Sequence, residues 1–167
     1  LEKNNLDEIK NLPEVSTINP IISTFGVISK KKKFSGVILH GLDSTYNWNH
    51  INQKIILGRK PIEKFEILIS SYHSQKMNIK LNDTILLSFL RKNQEDYQDT
   101  YGNLIISGIY KTEIEDFDKK ICFVNLNYIQ KKNGWKEKVS YYQVFLKNPK
   151  NTRKINETLN NKVDFIS

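Results

Sequence analysis

The sequence predicts a single α+β domain, and three observations carry that prediction. Its 167 residues are the usual size of one domain, long enough to bury most of the surface an unfolded chain exposes. Hydrophobic residues make up 38% and aromatics 11%, a globular composition rather than a disordered one. Strand-like and helix-like segments follow one another with no repeating strand–helix–strand period, which favours α+β over alternating α/β.

Taken in order, Leu1, Leu6, Ile9 and Leu12 share one face of a short amphipathic helix, which Pro13 stops by lacking an amide proton. From Val15 to Ser29 the crowded apolar positions Val15, Ile18, Ile21, Ile22, Phe25, Val27 and Ile28, rich in β-branched residues, predict a long strand kinked near Pro20. Residues Phe34 to Leu42 read as its antiparallel partner across a lysine turn. The Asp, Ser and Asn side chains from Asp43 to Asn49 bond locally to backbone and mark a turn or a helix start. A short helix is expected from Asn47 to Ile56, then a loop at Leu57 to Pro61, where Gly58 and Pro61 act as breakers.

Glu66 to Ile69 reads as a short strand and Ser70 to Asn78 as a serine-capped helix, followed by a tight turn at Asn82-Asp83. Thr84 to Leu90 and Leu104 to Thr112 are strands, separated by the polar stretch Arg91 to Asn103, which lacks apolar periodicity and reads as a long hairpin loop. Glu113 to Asp118 leads into a strand at Ile121 to Val124, after which Asn125 caps a helix that runs through about Lys132 and ends at Gly134. Ser140 to Lys147 alternates as a strand, Pro149 breaks it, and Thr152 to Leu159 forms a last amphipathic helix.

Residue types that do chemistry are present without the spacing chemistry needs. His40, His50 and His73 fall in different elements, so no zinc site is expected, and His40 reads as a strand residue facing water or a polar neighbour. Cys122, the one cysteine, lies in the apolar run Ile121 to Val124 and is expected as a buried core residue with a raised thiol pKa, not as a nucleophile. No Gly-x-Ser-x-Gly elbow occurs, and the seven glycines are scattered singly with no phosphate-cradling loop. Glu113, Glu115, Asp116 and Asp118 form an acidic stretch without the glycine of a calcium loop, and a solvated loop is expected; Glu95, Asp96 and Asp99 read the same way. These readings predict no catalytic, cofactor-binding or metal site, hence no enzyme.

A formal charge of +8 raises the question of nucleic acid, since clustered lysines release counterions from phosphates. Lys30 to Lys33 is the one true basic run, and its position between two strands predicts a solvated hairpin tip, so no nucleic-acid partner is expected. A basic nucleic-acid-binding module is the alternative of another class. The longest nearly unbroken apolar stretch, Gly36 to Leu42, is far short of the roughly 20 residues that span a bilayer. The chain opens on Leu1 with no basic-then-apolar signal pattern, which suggests processing or excision from something longer. The loop from Arg91 to Asn103 holds Tyr97 and Tyr101 among polar residues, and exposed tyrosines offer contact area with few rotamers to freeze. Arg91, Tyr97 and Tyr101 are therefore the candidate partner-binding residues.

Several segments, read together, resemble the extracytoplasmic domain of ABC transporter permeases of the MacB-like and lipoprotein-releasing (LolC/LolE) type. Gly36-Val-Ile-Leu-His-Gly-Leu-Asp43 is similar to that family's GV-x-V-x-GID strand. Ile67-Leu-Ile-Ser70, a following helix and Leu81-Asn-Asp-Thr-Ile-Leu-Leu87 resemble its G-x-x-LA-x-x-L-x-x-GD-x-V segment. Ile106-Ser-Gly-Ile-Tyr110, Asp118 and Phe123-Val-Asn-Leu126 with Gln130 resemble V-x-GI(F/Y), a later Asp and (F/V)-x-x-L-x-x-(A/Q). Asn82 stands where the family's turn has glycine, and asparagine tolerates the left-handed conformation. The segment Arg91 to Asn103 is shorter than the carrier-recruiting hairpin of lipoprotein-releasing permeases and has no proline.

The resemblance implies one periplasmic domain over residues 1–167 with two lobes, Porter-like from 1–45 and 113–167 and Sabre-like inserted at 46–112. It implies an inner-membrane protein with this domain on the periplasmic side, which binds substrate or carrier and is coupled to ATP hydrolysis by a separate ATP-binding subunit. The implied partners are that subunit, a permease partner and a periplasmic lipoprotein carrier or lipoprotein; no cofactor is implied in this domain. A MacB-like exporter or regulatory permease for peptides, drugs or toxins is the alternative within the same family.

Overall fold

Two long strands organise the chain. In the computed structural model, which describes residues 3–92, 97–148, 150, 152, 155 and 156, β1 (Val15–Lys30) and β2 (Lys33–Leu42) pair antiparallel from Ile21↔Leu42 to Lys30↔Lys33. The lysine turn between them is made by Lys31 at φ 55°. The chain divides into two compact units, residues 20–141 and residues 1–19 with 142–167. This division follows chain compactness and has other boundaries than the two lobes the resemblance implies.

Within residues 20–141 the strands β4 (Glu66–Ser70), β5 (Thr84–Lys92), β6 (Tyr97–Tyr110) and β7 (Ile121–Asn125) complete the path β2-β7-β4-β6-β5-β1. Because β1 also pairs with β2, the path closes into a ring of six strands. Closure leaves the ring no bare edge along these pairings. Ile28 on β1, Leu39 on β2, Ile67 and Ile69 on β4, Ile85 and Leu87 on β5, Leu104 and Ile106 on β6 and Val124 on β7 form one buried cluster. Alternation explains the choice: these positions lie two apart within each strand and so share one side.

The ring is filled from helices whose ends the sequence marks. The Ser70 hydroxyl accepts the His73 amide at the start of α3 (Ser71–Met77), and Asn78 ends that helix at φ 54°. Asn125 accepts the Asn127 amide at 2.9 Å to start α5 (Leu126–Asn133), which ends at Gly134 with φ 66°. Leu126, Tyr128 and Ile129 of α5 and Met77 of α3 join the inner cluster. Asn82 adopts φ 65°, so it meets the backbone demand of the turn in which the resembling family has glycine. A second cluster, Ile21, Leu42, Trp48, Leu68, Tyr110, Ile121 and Phe123, lies on the other side of the strands. Its rings meet edge to face, Trp48 with Phe123 at 5.9 Å and Tyr110 with Phe123 at 5.5 Å, and the Tyr110 hydroxyl donates to the Ile121 carbonyl at 2.8 Å.

The other unit holds α1 (Lys3–Lys10), the start of β1 up to Asn19, and the 142–146 part of β8 (Tyr141–Leu146), a hydrogen-bonded neighbour of β1. Ile9 and Val15 are its buried pair, with Leu12, Ile18, Val144 and Leu146 packed around them. Lys147 fastens the strand end, donating its amide to Glu14 O at 2.9 Å and its ammonium to Pro13 O at 2.7 Å.

Three expectations are corrected. The helix expected over Asn47–Ile56 is only α2 (Asn49–Asn52), and Ile55–Gly58 is a strand, β3, paired with β6. Gly58 at φ 72° and Gly108 permit that pairing, because a side chain on Gly108 would meet the Arg59 carbonyl at 2.4 Å. In the polar segment Arg91–Asn103, residues 91–92 and 97–103 are not loop but ladder, with Arg91↔Gln98, Leu90↔Asp99 and Ser88↔Tyr101 in register. The acidic stretch is ordered as α4 (Glu115–Asp118) and ends on a buried Asp118. The helix expected over Thr152–Leu159 lies for the most part outside the described residues.

Candidate functional site

Three buried polar residues, Ser70, His73 and Asp118, meet where β4 enters α3. Ser70 Oγ lies 2.9 Å from His73 Nδ1 and donates to the Asp118 carbonyl at 2.5 Å. A hydroxyl has one proton; with that proton on the carbonyl, His73 Nδ1 must donate, which leaves Nε2 as the bare nitrogen. The imidazole therefore cannot take the proton of Ser70 as a general base would. Both residues are fully buried, His73 Nε2 has no hydrogen-bond partner among the described residues, and burial brings the His73 pKa down to about 4. Their role is to hold α3 against α4.

Asp118 supports the same corner. Its carboxylate accepts from the Thr112 amide at 3.1 Å, the Thr112 hydroxyl at 2.7 Å and the Glu113 amide at 3.3 Å, which stabilises Glu113 at φ 70°. The carboxylates Glu113, Glu115 and Asp116 stay exposed as expected. Among the described residues no group of three His, Cys, Asp or Glu is placed to hold a metal ion. Cys122 is fully buried, and burial pushes its thiol pKa well up. His40 is half-buried and stands edge-on to Phe123 at 6.1 Å, and burial lowers its pKa.

What the ring exposes is an apolar outer face. The register Thr84↔Ile105, Leu86↔Asn103, Ser88↔Tyr101 and Leu90↔Asp99 sets these side chains on one side of the β5–β6 hairpin, opposite the buried Ile85, Leu87, Phe89 and Leu104. The pairs Ser29↔Leu86 and Val27↔Ser88 carry the face onto β1, where Phe25 continues it. Phe25 is 68% exposed, Leu90 58%, Tyr101 53% and Ile105 45%. A contiguous face of this kind is uncommon on a monomer and typical of interaction surfaces.

Of the three residues singled out from sequence, Tyr101 lies on this face in mid-strand, its hydroxyl donating to Asp99 Oδ2 at 3.1 Å. Tyr97 and Arg91 belong to the same ladder, paired with Lys92 and Gln98; their side chains, and residues 93–96, lie outside the described residues. Phe25, Leu86, Leu90 and Ile105 were not singled out. The signal of Leu86 and Leu90 is present in Ile85-Leu-Leu-Ser-Phe-Leu90, a strand apolar on both sides, of which the fold buries one.

In fold this chain matches MacB-like extracytoplasmic domains. It aligns with the extracellular domain of the noncanonic ABC-type transporter YknZ from Gram-positive bacteria with a TM-score of 0.66, over 96% of this chain and 83% of that one, at 13% identity. With the periplasmic region of MacB from Actinobacillus actinomycetemcomitans the TM-score is 0.63, over 95% of this chain and 71% of that one, at 12% identity. At these identities the likeness is one of fold. No family model matches the sequence, and no curated protein matches it significantly. Among the described residues no helix is long and apolar enough to cross a membrane.

Proposed function

We propose that the chain is the extracytoplasmic domain of an ABC transporter permease, and that it binds a protein substrate or carrier while a separate ATP-binding subunit hydrolyses ATP. The observation that carries this reading is the likeness of fold along 95% or more of the chain to two such domains. The domain does no bond chemistry and holds no cofactor. It works by displacement, changing its affinity for the cargo as the membrane helices rearrange. The contact is the outer face of the β5–β6 hairpin, with Leu90 and Tyr101 at its centre and Arg91 and Tyr97 further along the ladder.

The cargo proposed is a lipoprotein released from the membrane, handed to a periplasmic carrier. A second reading keeps the transporter and changes the cargo to peptides, drugs or toxins; it is favoured by the two matching domains, which come from MacB and from YknZ.

The test is made on the full-length transporter. Leu90→Ser with Tyr101→Ser removes two exposed apolar anchors, and capture of the purified carrier is expected to weaken by about tenfold or more, the effect of losing a central contact. Unchanged capture excludes the face as the contact. If the transporter shows ATPase stimulation by a peptide substrate and none by lipoprotein, the second reading replaces the first.

A further inference from the structure

The lysine run expected as a solvated hairpin tip is not alone. The fold brings Lys30, Lys31, Lys32 and Lys33 at the β1–β2 turn against Met77 and Asn78 at the end of α3 and Lys80 and Asp83 in the loop before β5, forming a groove of about 510 Å³. That volume lies within the 300–1,000 Å³ of ordinary ligand sites, taken as an order of magnitude. Five lysines line it with a single carboxylate residue. The carboxylate is already committed: Asp83 pairs with Lys30 and accepts the Lys80 amide at 2.6 Å. Its hydrogen bond to Lys30 keeps it ionised, holding its pKa below the usual range.

Lys33 is steered by its bond to the Lys76 carbonyl at 3.3 Å, and neither Lys31, Lys32 nor Lys33 forms an ion pair among the described residues. Bringing like charges together costs energy that an isolated tip would avoid, and a bound anion offsets that cost. We propose that this groove is a binding site for a phosphate group. A multiply charged phosphate suits a groove lined by several lysines, whose ammonium groups read it as point charges without the fork geometry arginine imposes. The phosphate can belong to a soluble phosphate compound or to the headgroup of an anionic lipid. This inference is independent of the transporter reading.

The experiment uses the 167-residue chain, with Lys32→Glu/Lys80→Glu as the groove variant and Lys54→Glu/Lys136→Glu as a control of equal net charge. All four lysines are exposed, and circular dichroism checks the fold. Inorganic pyrophosphate is titrated by calorimetry, and flotation compares phosphatidylglycerol with phosphatidylcholine vesicles. The expected result is binding that the groove variant weakens by about tenfold or more while the control stays near the parent. Pyrophosphate binding without vesicle binding assigns a soluble phosphate; added binding to phosphatidylglycerol vesicles alone assigns the lipid headgroup. No binding of either probe, equal binding by both variants, or equal flotation on phosphatidylcholine overturns the proposal.

Discussion

His73 gives the fold a dependence on acidity whose sign and size follow from its surroundings. Its imidazole is fully buried, and burial lowers its pKa from 6.5 to about 4. Above pH 6.5 it is neutral whether the chain is folded or unfolded, and it contributes no pH slope. Between pH 6.5 and 4 the unfolded chain binds a proton that the folded chain refuses, so stability falls as pH falls. The full difference corresponds to about 3 kcal/mol, of which about 2 kcal/mol is lost by pH 5. His40, also lowered by burial, adds a slope of the same sign, so the measurement needs a variant that isolates His73. His73→Asn keeps a donor for Ser70 Oγ and removes the titration. In urea unfolding at pH 7.5 and pH 5, the parent should lose about 2 kcal/mol more than the variant over that interval. Equal losses in the two proteins refute the assignment, whatever the absolute stability of the variant at pH 7.5.

Gly108→Ala should destabilise residues 20–141 by about 2–4 kcal/mol in urea, because its methyl group would meet the Arg59 carbonyl at 2.4 Å and force β3 from β6. A change under about 0.5 kcal/mol would mean that β3 yields freely. Glu66→Ala should cost about 2–3 kcal/mol at pH 7, since the Glu66 carboxylate accepts two bonds from Arg59, at 2.7 and 2.6 Å, and the amides of Ile62 and Glu63, each at 2.9 Å. Burial opposes the ionised form of Glu66 and these bonds favour it, with a net lowering of its pKa. The contribution of Glu66 is thus present above its unfolded pKa and lost as pH falls through the lowered one; a Glu66→Ala variant as stable as the parent at pH 7 would contradict it.

Where local chemistry decides the structure, the sequence was legible. The caps at Ser70 and Asn125, the stops at Asn78 and Gly134 and the left-handed Asn82 each depend on a side chain within a few residues of the backbone it serves. Strands misread from sequence are those held by distant partners. Tyr97 to Asn103 has no apolar alternation, yet pairing with β5 carries it as strand, and Ile55–Gly58 becomes a strand only because Gly108 lets the backbones approach. The site divides along the same line. Tyr101 could be picked out as an aromatic in polar surroundings, but Leu86, Leu90 and Ile105 look like core until the ring shows which of their strands' sides is filled. Lys80 joins the Lys30–Lys33 run only through the β5 and α3 positions, at a separation of some fifty residues that no local pattern reports.

The ring also constrains how the proposed transporter would work. Each of its six strands is hydrogen-bonded on both sides and shares one packed interior, and such an interior changes little in shape because displaced side chains forfeit their contacts. Residues 20–141 therefore carry the β5–β6 face and the lysine groove as fixed features of one compact unit. It follows that, in the proposed transporter, substitutions inside the ring are expected to lower stability in urea unfolding while leaving cargo-stimulated ATP hydrolysis per folded molecule unchanged.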